Sequence, residues 1–130
     1  MNHKSNGLNK GEKTRILLLN TAESLFGQNG VTATSLREVM KAADVNMAMI
    51  HYYFKNKDGL LDAILERRLV PINQARLNLL GQCSLKADGK PLAMDDIIKA
   101  YVEPFIRLRD NADEGGADFL KLFAWLRMEP

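Results

Sequence analysis

The chain has 130 residues, 46% hydrophobic and 26% charged, enough for one globular domain or for a small domain with part of another. Its one cysteine, Cys83, excludes an internal disulfide framework. No apolar run reaches the length of a membrane span, and the polar first residues lack the apolar core of a signal peptide. These features predict a cytoplasmic, reduced protein with no membrane partner.

The net charge of +2 is unevenly distributed along the chain. Residues 1–57 carry eight Lys or Arg and four Asp or Glu, whereas residues 58–130 carry ten and twelve. A basic N-terminal part is typical of a nucleic-acid-binding region joined to something else. Because the excess is only four charges, chance is an equally open explanation.

The N-terminal segment, residues 1–11, is polar, and we expect a flexible arm there. Residues 12–28 predict a helix, because apolar side chains recur on one face. Asn29 and Gly30 follow, and glycine can adopt the left-handed conformation that ends a helix. The helix would cover the next two helices, which are too short to bury enough apolar area alone. Its apolar stripe consists of Leu18, Leu19, Ala22, Leu25 and Phe26.

Two short helices, at 35–42 and 46–53, are predicted next. Ser35 and Glu38 have the spacing of a capping box, and Asn46 can cap the second helix. The order of helix, tight turn and helix predicts a helix-turn-helix, whose second helix enters the major groove of DNA. Apolar residues at helical spacing supply the buried face: Leu36, Val39, Ala43, Val45, Ile50 and Phe54.

His51, Tyr52 and Tyr53 are three adjacent rings on the second short helix, which is unusual for a purely structural element. Their apolar bodies can lie against sugars or thymine methyl groups, and their polar tips can bond phosphates or base edges. Packing against a neighbouring helix is the alternative, and for Tyr53 it is an equally good one.

Residues 57–80 predict a long helix with a continuous apolar stripe, capped by Asn56 and either kinked or restarted at Pro71. A loop is expected at 81–91. It would contain Cys83, for which an incidental position is a better interpretation than a redox role.

Two more helices are predicted, at 92–109 and 117–127, with a turn over 111–116 between them. Their aromatic side chains are candidates for a pocket that binds a small apolar or aromatic ligand. Ordinary core packing explains the same residues and is the simpler interpretation. The candidate ligand-binding residues are Tyr101, Phe105, Phe123 and Trp125.

The helix-turn-helix region resembles the TetR family of transcriptional regulators over residues 13–65, without a gap. The resemblance depends above all on Ile50-His-Tyr-Tyr-Phe-Lys-Asn-Lys57. The other matching positions are Gly30, Thr34, Ser35, Val39, Ala42-Ala-Asp-Val45, Leu60 and Leu61. It implies an all-α protein: a three-helix, homeodomain-like DNA-binding head at 12–56, followed by a helical ligand-binding and dimerisation domain at 57–130. Family members have more helices than 130 residues can supply, so we expect an incomplete second domain, in either a truncated chain or a shortened homologue.

The resemblance also implies contacts with DNA. Thr34 and Ser35 match phosphate-binding positions, and Arg37 matches a position where some members read a base. The recognition helix would contribute its leading edge and its later backbone contacts. The complete set of expected DNA-binding residues is Thr34, Ser35, Arg37, Asn46, Met47, Ala48, His51, Tyr52, Tyr53 and Lys57.

Three positions depart from the commonest family pattern. Asp44 replaces a glycine in the turn, and Asp tolerates the left-handed conformation. Ala48 replaces a frequent glycine, which would hold the backbone further from DNA. His51 replaces a frequent tyrosine, which would add a pH-dependent phosphate contact.

The expected function is a small-molecule-responsive repressor that acts as a homodimer on a near-palindromic operator in double-stranded DNA. The alternative is a helical protein-interaction module, which the apolar Met47 and Met49 favour. The chain has no phosphate-binding loop, no metal-ligand spacing and no nucleophile motif. We therefore expect neither an enzyme nor a cofactor or metal.

Overall fold

The computed structural model describes residues 8–110 and 115–129, which form six helices and no strand. This confirms the all-α prediction. The helices are α1 (Lys10–Asn29), α2 (Leu36–Ala43), α3 (Met47–Phe54), α4 (Lys57–Ala87), α5 (Met94–Asp110) and α6 (Gly116–Met128).

The chain divides into two compact units. The first contains the chain up to Ile64 together with the segment that starts at Asp118, and the second is Leu65–Ala117. The predicted domain boundary at residue 57 stays a prediction. Of the predicted turn at 111–116, residues 111–114 lie outside the described part, and Gly116 is the first residue of α6.

α1 begins earlier than the sequence pattern predicted. The Asn9 side chain accepts a hydrogen bond from the Glu12 backbone N–H at 2.8 Å, so the helix starts at Lys10. Lys10 and Gly11 are therefore helical, which corrects the predicted arm at its end; residues 1–7 lie outside the described residues. The helix ends at Gly30, whose φ of 88° is accessible to a glycine without strain.

The helix-turn-helix forms as predicted, and its local causes are visible. Ser35 and Glu38 make the complete capping box at the start of α2. Asp44 adopts the left-handed conformation, with φ 57° and ψ 48°, and so turns the chain towards α3. Asn46 then caps α3 by accepting from the Met49 backbone N–H at 2.9 Å.

The core of the first unit is continuous across its helices, because every helix there contributes buried apolar side chains. Phe26 of α1 is fully buried, which stabilises the fold by roughly 1.5–3 kcal/mol relative to an exposed ring. The buried apolar residues of this unit are Leu18, Leu19, Ala22, Phe26, Val39, Ala43, Ile50, Phe54, Leu60, Ile64, Phe119 and Leu122.

Within the first unit, α6 packs against the C-terminal end of α1. The Trp125 indole N–H donates to the Gly27 carbonyl at 3.0 Å. A Cβ on Gly27 would lie 2.6 Å from the Asp118 carbonyl oxygen, so the two backbones touch there. The Glu129 carboxylate accepts from the Thr32 backbone N–H at 3.3 Å. The packing of α6 on α1 therefore depends on a glycine at position 27 and on the hydrogen bonds of Trp125 and Glu129.

α4 is seven residues longer than predicted, because its helical residues continue from 81 to Ala87 instead of forming a loop. The segment holds Gln82, Leu85, Lys86 and Ala87, which are good helix formers. Pro71 lies inside this helix and does not restart it. The predicted loop is reduced to the short connection before Met94.

The second unit buries little apolar surface. Where α4 and α5 meet, Ile72, Ala100 and Pro104 are buried. Most of the large apolar side chains of α5 are exposed, among them Ile98 (53%) and Tyr101 (57%). The unit therefore presents an apolar face to its surroundings.

Candidate nucleic-acid interface

α3 has a buried side and an exposed side. Ile50 and Phe54, one turn apart, are buried, and they fix the helix on the core. Ala48 and His51 are exposed, and Tyr52 is 78% exposed, more than any purely structural role requires. A helix presented in this way can offer a methyl group, an imidazole and a phenol to a groove of DNA.

Hydrogen bonds orient the side chains of Asn46 and His51, two of the predicted DNA-binding residues. Asn46 uses its side-chain oxygen for the helix cap, which leaves its NH₂ group for a contact. His51 Nδ1 lies 2.8 Å from the Lys55 carbonyl oxygen. Because a carbonyl only accepts, Nδ1 carries the proton, and a neutral His51 then offers only an acceptor at Nε2. A phosphate contact from Nε2 requires the protonated ring.

The link from α3 to α4 is a tight turn at Lys55. Lys55 has φ 70° and ψ −55°, and the Asn56 N–H donates to the Phe54 carbonyl at 2.8 Å, which is a γ-turn of the strained, positive-φ type. A Cβ on Gly59 would lie 1.9 Å from the same carbonyl oxygen. The turn therefore requires glycine at 59, and it presents the exposed Lys55 directly after α3.

The N-terminus of α2 holds Ser35 and Arg37, both exposed. The Glu38 carboxylate accepts from the Ser35 backbone N–H at 3.0 Å. The first backbone N–H groups of a helix have no partner within the helix, so those of Leu36 and Arg37 point outward from its start. Such groups favour an anion such as a phosphate.

Thr34 does not fit its predicted role. It is buried, its hydroxyl donates to the Gly30 carbonyl at 2.8 Å, and its backbone N–H donates to the Val31 carbonyl at 3.2 Å. No donor of Thr34 is left for a phosphate. Its polar side chain stabilises the loop between α1 and α2.

Tyr53 and Lys57 are half-buried, so each contacts other residues of the protein in addition to its predicted contact with DNA. The Tyr53 hydroxyl lies 2.9 Å from where a Cβ of Gly11 would stand, so Tyr53 packs on the first turn of α1. The Lys57 ammonium lies 6.0 Å from the Phe26 ring centroid. Met47 is also half-buried. The DNA contacts of all three stay predictions.

The predicted ligand-binding residues are divided between the two units, and their role in a ligand site stays a prediction. Tyr101 and Phe105 belong to the second unit, whereas Phe123 and Trp125 belong to the first. Trp125 uses its indole N–H in the packing of α6 on α1. Tyr101 lines a groove between α4 and α5 within the second unit.

Sequence reasoning missed Lys55 and Gly59. The spacing of apolar residues carries no sign of a positive φ at a lysine. The signal that was available is the glycine itself, since Gly59 lies in the first turn of a helix, where glycine is unfavourable without a reason.

Over residues 8–110 and 115–129, no group of three His, Cys, Asp or Glu side chains is arranged to hold a metal ion. Within the same residues, no helix has the length and apolar character needed to cross a membrane.

The family model described as bacterial regulatory proteins of the tetR family matches residues 18–64, which contain most of α1, all of α2 and α3, and the start of α4. The match identifies residues 18–64 as an N-terminal domain of the TetR family. Among TetR-family relatives, the repressor NemR of Escherichia coli K12 is 37% identical over 111 residues, which are 85% of this chain and 53% of NemR.

The chain is also similar to two other proteins, over different shares of its length. The probable transcriptional regulator YttP of Bacillus subtilis is 46% identical over 52 residues, 40% of this chain and 25% of YttP. The solved structure of a SmeT–triclosan complex is 24% identical and superposes with a TM-score of 0.63, over 91% of this chain and 51% of SmeT. That likeness confirms the fold. The chain spans about half the length of NemR and SmeT, and less of YttP.

Proposed function

We propose that this chain binds double-stranded DNA as part of a transcriptional repressor, with α3 as the recognition helix. The observation that carries the proposal is the division of α3 into a buried side, Ile50 and Phe54, and an exposed side that includes His51 and Tyr52. The cap at Asn46 and the turn at Lys55 fix both ends of that helix. A rigid, capped helix with exposed polar rings suits insertion into the major groove.

Groups that favour phosphates lie at both ends of the helix-turn-helix. Arg37 is exposed in the first turn of α2, beside the N–H groups that start the helix. Lys55 and Lys57 follow α3. Contacts of this kind position a protein on the duplex, while base edges supply the sequence preference. We propose that Arg37 and the exposed side chains of α3 read bases.

The finer parts of the proposal depend on family likeness. NemR and several other relatives are named repressors, which supports repression over activation. A homodimer would place two α3 helices in successive major grooves of a near-palindromic operator. We propose repression and dimerisation for the whole protein, and we propose that it acts in the cytoplasm.

We also propose that a small molecule releases the protein from its operator. The SmeT structure contains triclosan, which supports an effector of this general kind. α4 begins at Lys57 in the first unit and ends at Ala87 in the second, so it is our candidate for the element that transmits the signal. An effector acts only if it binds the DNA-competent and DNA-incompetent states with different affinities.

The second candidate function is a helical protein-interaction module. Met47 and Met49 are half-buried on the helix that would face the partner, and neither brings a strong hydrogen-bonding group. In that case the exposed side of α3 would contact a protein, and salt would affect binding little.

The experiment that separates the two is a salt titration of binding. Fluorescence anisotropy with a labelled random duplex, and then with an enriched one, measures the affinity of the purified chain at stepped salt concentrations. Regulator function predicts that log Kd rises linearly with log salt, with a slope close to 0.9 per phosphate contacted. Absence of duplex binding by folded protein at low salt would contradict DNA binding and favour the interaction module.

A further inference from the structure

The second unit contains a groove of about 670 Å³ between α4 and α5. This volume lies within the range of small-molecule sites, about 300–1,000 Å³. Apolar side chains from both helices form most of its wall: Leu77, Leu80, Ile97, Ile98 and Val102. Leu77 and Ile98 are more than half exposed, so the groove is open to a ligand.

We propose that this groove binds an apolar organic anion, with Arg76 as the group that receives the negative charge. The inference builds on the proposed small-molecule response and names the chemical class of its ligand. Arg76 is the one charged side chain among the described residues that line the groove. A neutral apolar ligand would provide no negative group to pair with the Arg76 guanidinium.

The Arg76 guanidinium is held in place by three contacts. Its Nε donates to the Tyr101 carbonyl at 2.8 Å, and its Nη1 donates to the Asn73 side-chain oxygen at 3.1 Å. Its central carbon lies 3.9 Å from the centroid of the Tyr101 ring, in cation–π distance. A guanidinium that is fixed before binding loses little conformational freedom when it meets a carboxylate.

The charge of Arg76 has no carboxylate partner within 4.0 Å in the part of the chain that the structure describes. Two of its five N–H groups are used by Tyr101 and Asn73, which leaves three for a ligand. A charged group beside apolar walls favours an oppositely charged partner, and a guanidinium matches a carboxylate with two parallel hydrogen bonds.

A second groove on α5 differs in this respect. It includes Arg107, which forms an ion pair with Glu103 one turn earlier, and it also holds Asp95 and Lys99. There the positive charge is already compensated within the helix. The comparison identifies the Arg76 groove as the better site for an anion.

The probes for the test are octanoate and octan-1-ol, which share an apolar chain and differ in charge. Isothermal titration of the purified chain measures both affinities. We expect octanoate to bind about tenfold more tightly. Arg76→Gln should remove that difference and leave octan-1-ol binding unchanged, and Arg76→Lys should restore part of it.

A second variant tests the site without removing Arg76. Ile98→Glu puts a carboxylate at an exposed position on the wall of the groove, where it can pair with Arg76 and repel octanoate. We expect the octanoate preference to disappear while the melting temperature is retained. Because Ile98 is exposed, this result stays interpretable even if Arg76→Gln disturbs folding.

Three outcomes would overturn the proposal. The first is equal affinity for the two probes. The second is an octanoate preference that survives Arg76→Gln or Ile98→Glu. The third is a groove covered by a second copy of the chain, in which case sedimentation would detect a dimer and neither probe would bind. The assay contains no DNA, so it is independent of whether the chain binds an operator.

Discussion

The two units of the molecule differ in how they use their apolar residues. In the first unit, all its helices bury apolar side chains together, and Phe26 and Ile50 are fully buried. Among the described residues of Leu65–Ala117, the buried apolar side chains are those of Ile72, Ala100 and Pro104. The first unit has a complete core of its own, whereas the second presents an apolar surface that can bind something else.

This difference has a consequence for function. A recognition helix must hold its exposed side chains in a fixed geometry, and a well-packed core provides that rigidity. A ligand-binding element needs accessible apolar surface and tolerates less internal packing. The exposed side of α3 accordingly carries polar and aromatic side chains, while α5 exposes mostly apolar ones, such as Ile98 and Val102.

The difference in packing between the two units can be tested by truncating one isoleucine in each. Ile50→Ala removes a fully buried side chain and should lower the free energy of unfolding by about 2–5 kcal/mol. Ile106→Ala, at a position that is 47% exposed, should change it by less than about 0.5 kcal/mol. Denaturant unfolding measures both. Equal losses would show that the second unit is packed as tightly as the first.

Two glycines of α4 give a second matched pair. Gly59→Ala would place a Cβ 1.9 Å from the Phe54 carbonyl oxygen and should destabilise the first unit by about 1–3 kcal/mol. Gly81→Ala meets no atom within 4 Å and should stabilise α4 by about 0.5–1 kcal/mol. Thermal melts followed by circular dichroism test both signs. A harmless Gly59→Ala would mean that the turn at Lys55 adapts freely.

Arg37→Ala should weaken binding to a preferred duplex by about 1–3 kcal/mol if Arg37 reads a base, and should reduce discrimination between sequences. Arg109→Ala, an exposed arginine of the second unit, is the control and should leave affinity unchanged. Competition binding with specific and random duplexes measures the ratio. An unchanged ratio for Arg37→Ala would remove Arg37 from base recognition.

The smallest expected effect concerns two lysines near opposite ends of α4. Lys57→Ala should weaken binding to all duplexes alike and reduce the slope of log Kd against log salt by about 1, because one phosphate contact is lost. Lys86→Ala, an exposed lysine in the second unit, should leave the slope unchanged. Equal slopes for the two variants would indicate that Lys57 touches no phosphate.

The first unit was largely predictable because local chemistry and long-range packing agree there. Ser35 and Asn46 cap helices at the predicted places, Asp44 adopts the predicted left-handed turn, and the apolar spacing identifies Ile50 and Phe54 as buried. The burial of Thr34 was not predictable, because its hydrogen bonds go to the backbone of the preceding loop.

The second unit and α6 of the first unit were predicted less well, for two physical reasons. Helical propensity after residue 80 outweighs the turn-forming glycine at 81, so α4 continues to Ala87. Aromatic residues also carry no information about their tertiary partners, so the sequence leaves Trp125 of α6 open between core packing and a ligand site, whereas the structure shows its contact with α1. Arg76 was not identified because its role depends on α5, 25 residues further along the chain.

The most direct test of the central claim is selection of bound duplexes from a random DNA pool by the purified protein at moderate salt. We expect recovery of an enriched sequence that the Tyr52→Ala variant binds less tightly. Because Tyr52 is 78% exposed, we expect this variant to stay folded. A near-palindromic sequence would in addition support a dimer. Recovery of no preferred sequence by folded protein would contradict the assignment of α3 as a recognition helix.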